Sequence, residues 1–226
     1  EFRRVLFRSD MVTQTVEGAV LTNNGVACAA ANVTTENSFA RVFTADELGG
    51  GVMTIDCINF GVANSGSYLP GRVNVYKDAD GGAPGNPASL ELLASDEYGC
   101  YNIADVEFNS VVFDGGLDVD ISDGSTLVVE LSLDPSLDGF AAIAGGTALD
   151  VTSGITYILS ASCGIVDFTP YADIGFDVEW YVDLTGTIGG GGGDPSCFAD
   201  VNEDGVVDGA RSEEHTSELQ SRQYLV

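Results

Sequence analysis

From residue 126 to 133 the chain reads TLVVELSL, and from 176 to 184 it reads FDVEWYVDL. Leu127, Val129, Leu131 and Leu133 alternate with Val128, Glu130 and Ser132. Phe176, Val178, Trp180, Val182 and Leu184 alternate with Asp177, Glu179, Tyr181 and Asp183. A period of two sends successive side chains to opposite faces of an extended strand, so each segment offers one face to a core and one to water. The stretch 72–77 (RVNVYK) is a third such strand, and 38–44, 52–62, 103–108, 140–143 and 157–161 are further strands filled by β-branched and aromatic residues. No stretch keeps a helical period beyond three turns, and 45–48 predicts a single turn.

Turn clusters separate these strands: DADGGAPGNP at 78–87, DGG at 114–116, SDG at 122–124 and DPSLDG at 134–139. Many short strands at this spacing predict an all-β, antiparallel β-sandwich of jelly-roll-like form. The last strand ends near Thr187, and 189–193 is a run of five glycines. Such a run has no side chain to pack and reads as a flexible linker. The expected organisation is a sandwich over 10–187, a linker over 188–196 and a second, calcium-binding module beginning at 197.

Within that module Asp200, Asn202, Asp204, Gly205, Val206 and Asp208 follow the pattern D-x-N-x-D-G-x-V-D. In an EF-hand-type loop the first, third and fifth positions supply side-chain oxygens, the sixth is a glycine for a sharp turn, the seventh gives a backbone carbonyl and the ninth acts through water. Asp200, Asn202, Asp204, Val206 and Asp208 are therefore the candidate Ca2+ ligands. The segment 197–210 resembles the first half of a type I dockerin repeat. The resemblance implies a calcium-folded tether that binds a cohesin-like domain, with a second loop and two helices in a complete copy. The twelfth position, where the last ligand belongs, is Arg211, and a cation cannot ligate calcium.

Arg211 belongs to a segment of another kind. The stretches 1–9 (EFRRVLFRS) and 211–226 (RSEEHTSELQSRQYLV) resemble translations of the adapter DNA used in short-read sequencing, one strand at each end. The resemblance implies that both are non-native, and they are excluded from fold reasoning. They hold Glu1, Glu213, Glu214 and Glu218 among the chain's 35 acidic residues, and Arg3, Arg4, Arg8, Arg211 and Arg222 among its 8 basic ones. The cations that remain are Arg41, Arg72 and Lys77, and the one histidine, His215, also falls within an adapter-like stretch.

So acidic a surface repels phosphates, which excludes nucleic acid and anionic membranes as partners and suits divalent cations. No apolar run is long enough for a membrane helix, so no membrane insertion is expected. Without a histidine base, Ser-His-Asp and Cys-His catalysis and histidine-bound zinc are excluded. A paired-carboxylate glycosidase is chemically open, yet nothing selects two carboxylates from so many. Asp78 and Asp80, and Asp118, Asp120 and Asp123, are acidic turns whose ordinary role is to face solvent.

Five cysteines, Cys28, Cys57, Cys100, Cys163 and Cys197, are scattered without a CxxC pair, which argues against a zinc knuckle and for disulfides in an oxidising compartment. Four of them allow three connectivities; Cys57 with Cys100 and Cys28 with Cys163 is the expected one, leaving Cys197 in the tail. Tyr68, Tyr76, Tyr98, Tyr101, Tyr171, Trp180 and Tyr181 are candidates to stack on sugars. Trp180 falls on the predicted buried face, and Tyr181 falls on the wet face as the better contact.

The segments ENSFARVF (36–43), INFGV (58–62), VNVYKDADGGAPG (73–85), TLVVEL (126–131), SASCGI (160–165) and ADIGF (172–176) resemble an uncharacterised β-sandwich module of bacterial exported proteins. That resemblance implies fold and export and supplies no site. The expected function is a non-catalytic extracellular or cell-surface module for binding or adhesion, carbohydrate being a candidate ligand, tethered through the calcium repeat. An acidic structural surface or matrix protein, and an accessory domain of a carboxylate-dependent polysaccharide hydrolase, are the alternatives.

Overall fold

The computed structural model describes residues 10–20, 25–31, 33–63, 68–101, 106–135, 140, 142–143, 145–148, 156–176 and 179–189. Its strands are β1 (Asp10–Thr13), β2 (Thr15–Val20), β3 (Ala29–Ala30), β4 (Val33–Thr34), β5 (Asn37–Phe43), β6 (Val52–Ala63), β7 (Tyr68–Asp78), β8 (Glu91–Tyr101), β9 (Val106–Asp120), β10 (Thr126–Leu133), β11 (Ala142–Ile143), β12 (Gly145–Ala148), β13 (Thr156–Ser160), β14 (Ile165–Pro170), β15 (Glu179–Trp180) and β16 (Val182–Ile188). Among the described residues there is no α-helix, only three short 3-10 turns.

Two main antiparallel sheets form the body. A six-stranded sheet runs β14-β13-β5-β10-β7-β8, and a five-stranded sheet runs β1-β16-β6-β11 with β9 on the other side of β6. A three-stranded sheet, β15-β12-β2, and the β3–β4 pair complete it. The inward residues of both main sheets meet in one apolar core. Phe39, Phe43, Val73, Val75, Leu127, Val129, Leu131 and Leu133 come from the six-stranded sheet. Met53, Ile55, Ile58, Phe60, Val62, Val111, Val182 and Leu184 come from the five-stranded one. This is the all-β sandwich that the alternating pattern predicts.

β10 is the clearest match between pattern and packing. Leu127, Val129, Leu131 and Leu133 all lie in the core. On its other face Val128 joins Ala40, Tyr76, Tyr157 and Phe168 in a second, smaller cluster, and Glu130 is buried, accepting from Asn74 Nδ2 at 2.9 Å and Tyr76 Oη at 2.8 Å. The outer face of the six-stranded sheet is thus covered near its centre, not wetted throughout.

The expectation for 176–184 needs correction. The strand is broken at Tyr181, between β15 and β16. Phe176 follows the 3-10 turn Tyr171–Ile174 and is exposed, whereas Tyr181 and Asp183 on the predicted wet face are buried, as is Thr185 beyond them. Alternation of polarity cannot tell an exposed polar face from a buried polar layer, and here it is the latter. Asn59 Nδ2 donates to Thr185 Oγ1 at 2.9 Å, Ser110 Oγ to Asn59 Oδ1 at 2.6 Å and Thr54 Oγ1 to Asp118 Oδ1 at 2.7 Å. Trp180 is buried as expected, meeting Phe39 and Tyr171 edge-on with ring centroids 4.9 Å and 4.7 Å apart.

The DGG turn expected at 114–116 lies inside β9 instead. Gly115 and Gly116 adopt φ of 81° and 78°, where the pairing with β6 shifts register between Ile55 and Cys57. This is a bulge, and glycine supplies the left-handed backbone it requires. The 45–48 turn is present, closed by Leu48 N donating to Thr44 O at 3.2 Å, and Leu48 is fully buried.

Arg41 is buried inside the sandwich. It shares the inward face of β5 with Phe39 and Phe43 and is fully buried. Its Nε donates to Gln14 Oε1 at 2.8 Å, and its Nη1 donates to Thr156 Oγ1 at 2.9 Å and forms an ion pair with Glu179. Thr156 Oγ1 also donates to Glu179 Oε2 at 2.8 Å, and Gln14 Nε2 donates to Glu47 Oε1 at 2.6 Å. Burial pulls the Arg41 pKa down, and Glu179 opposes it, followed by Glu47 and Asp183.

Candidate functional site

The six-stranded sheet ends at one edge in a polar cleft of about 270 Å³. Register explains it. Glu97, Arg72 and Ser132 stand directly opposite one another on β8, β7 and β10, with Arg72 Nη2 paired to Glu97 Oε1 at 2.5 Å. One step along, Gly99 faces Pro70, and Asp134 N donates to Pro70 O at 3.1 Å. A glycine and a proline have little side chain to project, so the surface drops there between the Arg72–Glu97 pair and Asp134.

The opposite side of that edge is closed by one aromatic ring. Tyr98 pairs with Gly71 and lies over it: a Cβ on Gly71 would stand 2.3 Å from Tyr98 Cζ and 2.6 Å from Ser132 O. The Tyr98 hydroxyl donates to Ser132 O at 3.0 Å, and its ring packs on Phe60 of the facing sheet at a centroid distance of 4.8 Å. Gly71 is required by the close approach of that ring, and the ring in turn joins the two sheets at this edge.

Arg72 and Glu97 keep side-chain exposures of 50% and 76%, so both retain hydrogen-bonding capacity toward a ligand. Sequence reading missed this cleft. Its one signal was the Pro70-Gly71 step ahead of RVNVYK, which by pattern reads as a turn and in the structure lies within β7.

The aromatic candidates are mostly spent on packing. Tyr76, Tyr171 and Trp180 are buried, and so is Tyr181, whose ring meets Phe108 edge-on at 5.1 Å. Tyr181 is therefore not a surface contact, contrary to the alternation pattern. Burial raises the hydroxyl pKa of Tyr76, Tyr171 and Tyr157, the last to about 12. Tyr98 alone among the described candidates borders the cleft. The side chains of Tyr68 and Tyr101 lie outside the described residues.

The acidic turns do not converge. Asp118 accepts from Thr54, Asp120 from Ser122 Oγ at 2.6 Å, and Asp123 from Ser125 Oγ at 2.5 Å and Lys77 Nζ at 2.9 Å. These hydrogen bonds hold the Asp120 and Asp123 carboxyls below the usual range, the serine hydroxyls contributing most. Asp78 Oδ1 accepts from the backbone of Asp80 at 3.1 Å, a turn of its own. Among the described residues no group of three or more His, Cys, Asp or Glu side chains forms a metal site. Asp200, Asn202, Asp204, Val206, Asp208 and Cys197 lie outside the described residues.

Cys28 and Cys163 form a disulfide with Cα atoms 6.1 Å apart, as expected. Buried Asn37 stitches it down, accepting from Cys28 N at 2.8 Å and donating to Cys28 O at 3.1 Å. Cys57 is disulfide-bonded as well; the side chain of Cys100, its expected partner, lies outside the described residues.

No family model matches the chain, and no curated protein matches it. Among solved structures it is similar to the cysteine protease and lectin-like domains of a surface layer associated protein of Clostridium difficile, with 15% identity and a TM-score of 0.42. That similarity covers 69% of this chain and 33% of the other.

Proposed function

We propose that the sandwich is a non-catalytic binding or adhesion module of an exported protein, held to its partner assembly through the calcium repeat that follows residue 196. The disulfide between Cys28 and Cys163, with Cys57 also oxidised, is the observation that carries this reading. Such bridges persist in oxidising compartments and are rare in the cytosol. In this reading Asp200, Asn202, Asp204, Val206 and Asp208 hold Ca2+ in the parent protein, and a cohesin-like domain docks on the completed repeat. The motivation for that part is the ligand spacing alone.

Two measurements test the proposal. The natural protein that carries residues 10–210 is titrated with Ca2+ by calorimetry, and its location is determined by cell fractionation. Stoichiometric uptake at the tail and an extracellular or surface location are expected. A cytoplasmic location overturns the export reading, and absence of uptake overturns the tether.

A further inference from the structure

We propose that the cleft bordered by Arg72, Glu97, Tyr98 and Asp134 is a subsite for a neutral saccharide, which deepens the binding-module reading and rests on it. The argument begins from where the few cations are. Outside the adapter-like segments the chain has three, and the structure commits two of them internally: Arg41 is fully buried, and Lys77 is bound to Asp120 O and Asp123. Arg72 is left half-exposed at the mouth of the cleft with one carboxylate partner.

The chemistry of the walls then selects the ligand. Glu97 and Asp134 offer acceptors only, and Arg72 offers donors only. An anionic ligand would pair with Arg72 but meet two carboxylates and a chain of net charge −27. A cationic ligand would pair with the carboxylates and face the guanidinium. A hydroxyl both donates and accepts, so a ring carrying several neighbouring hydroxyls can bond Glu97, Asp134 and Arg72 together without leaving any of them desolvated and unpaired. The planar fork of Arg72 suits two adjacent oxygens. The backbone confers rigidity: the cleft floor is laddered strand, and Tyr98 is fixed by Ser132 O and Phe60.

The test uses the whole chain on an array of neutral, acidic and basic glycans, with Arg72→Ala, Glu97→Gln and Asp134→Asn measured beside it. Arg72 and Glu97 are exposed, so these variants keep their Tm, which is measured as a control. The expected result is saturable binding to a neutral glycan, weakened about tenfold by each of Arg72→Ala and Glu97→Gln, the scale of one hydrogen bond to a charged group. Neutral-glycan binding that the three variants leave unchanged overturns the cleft assignment while the binding-module reading stands. Binding only to acidic or only to basic glycans overturns the ligand class. No binding to any glycan overturns the inference, while the location and calcium measurements still judge the wider reading separately.

Discussion

Arg41 and Glu179 form an ion pair in the interior of a strongly acidic protein, joining the middle of β5 to the short strand before β16. The pair is asymmetric: the arginine side chain is fully buried and the carboxylate is 19% exposed. Removing one partner of a buried pair leaves the other charge uncompensated, which costs more than the pair itself contributes. Arg41→Met is expected to destabilise the sandwich by about 3 kcal/mol, read as a lower urea midpoint. Glu179→Gln in the Arg41→Met background is expected to restore part of the loss. Equal stability of wild type and Arg41→Met would show that the network contributes nothing.

The Cys28–Cys163 bridge closes a loop of 135 residues. Chain-entropy reasoning assigns such a loop about 5 kcal/mol of stabilisation, most of it through the unfolded state. Replacing both cysteines by alanine is expected to lower stability by about 2–5 kcal/mol. Peptide mapping without reductant is expected to return Cys28 linked to Cys163 and Cys57 linked to Cys100. Cys57 found with any other cysteine would refute the second pairing.

Gly71→Ala forces a methyl into the space held by the Tyr98 ring and the Ser132 carbonyl. Overpacking of this kind costs about 2 kcal/mol, and here it also pushes Tyr98 off Phe60. Thermal unfolding is expected to show the loss, with a matching drop in any ligand binding at the neighbouring cleft. A neutral outcome would mean that the edge yields more easily than its contacts imply.

Three buried phenols set the alkaline limit. Tyr76, Tyr157 and Tyr171 all have folded-state pKa values raised by burial above the ordinary 10.0. Their contribution to stability is complete below pH 10.0 and is lost as pH rises toward the folded values, near 12 for Tyr157. Alkaline titration followed by tyrosinate absorbance is expected to show these three silent until the protein unfolds. Titration of all eight tyrosines near pH 10.0 in the folded protein would contradict their burial.

The body of the fold was legible where one face of a strand is core, as in β10 and in β6. It was illegible at β8, whose sequence ELLASDEYGCY lacks alternation because the strand is a sheet edge. Exposed Glu91, Asp96 and Glu97 suit that position, since charge on an edge discourages strand addition by another chain. Tyr181 and Asp183 misled because polarity alternates there within a buried layer. The cleft was hidden for a different reason. Gly71, Tyr98 and Ser132 come from three strands, and only their register brings them together.

The pairing of β1 with β16 sets Asp10 beside Gly186, with Ile188 N donating to Asp10 Oδ2 at 3.3 Å, so the chain enters and leaves the sandwich at one end. Force applied through those two points would part β1 from β16 rung by rung, like a zip. Peeling would reach Cys28 from one side and Cys163 from the other and stop there. The stretch between them, 135 positions from one cysteine to the other, would carry no load, so a stretched module would lengthen by its margins while the Arg72 cleft kept its shape.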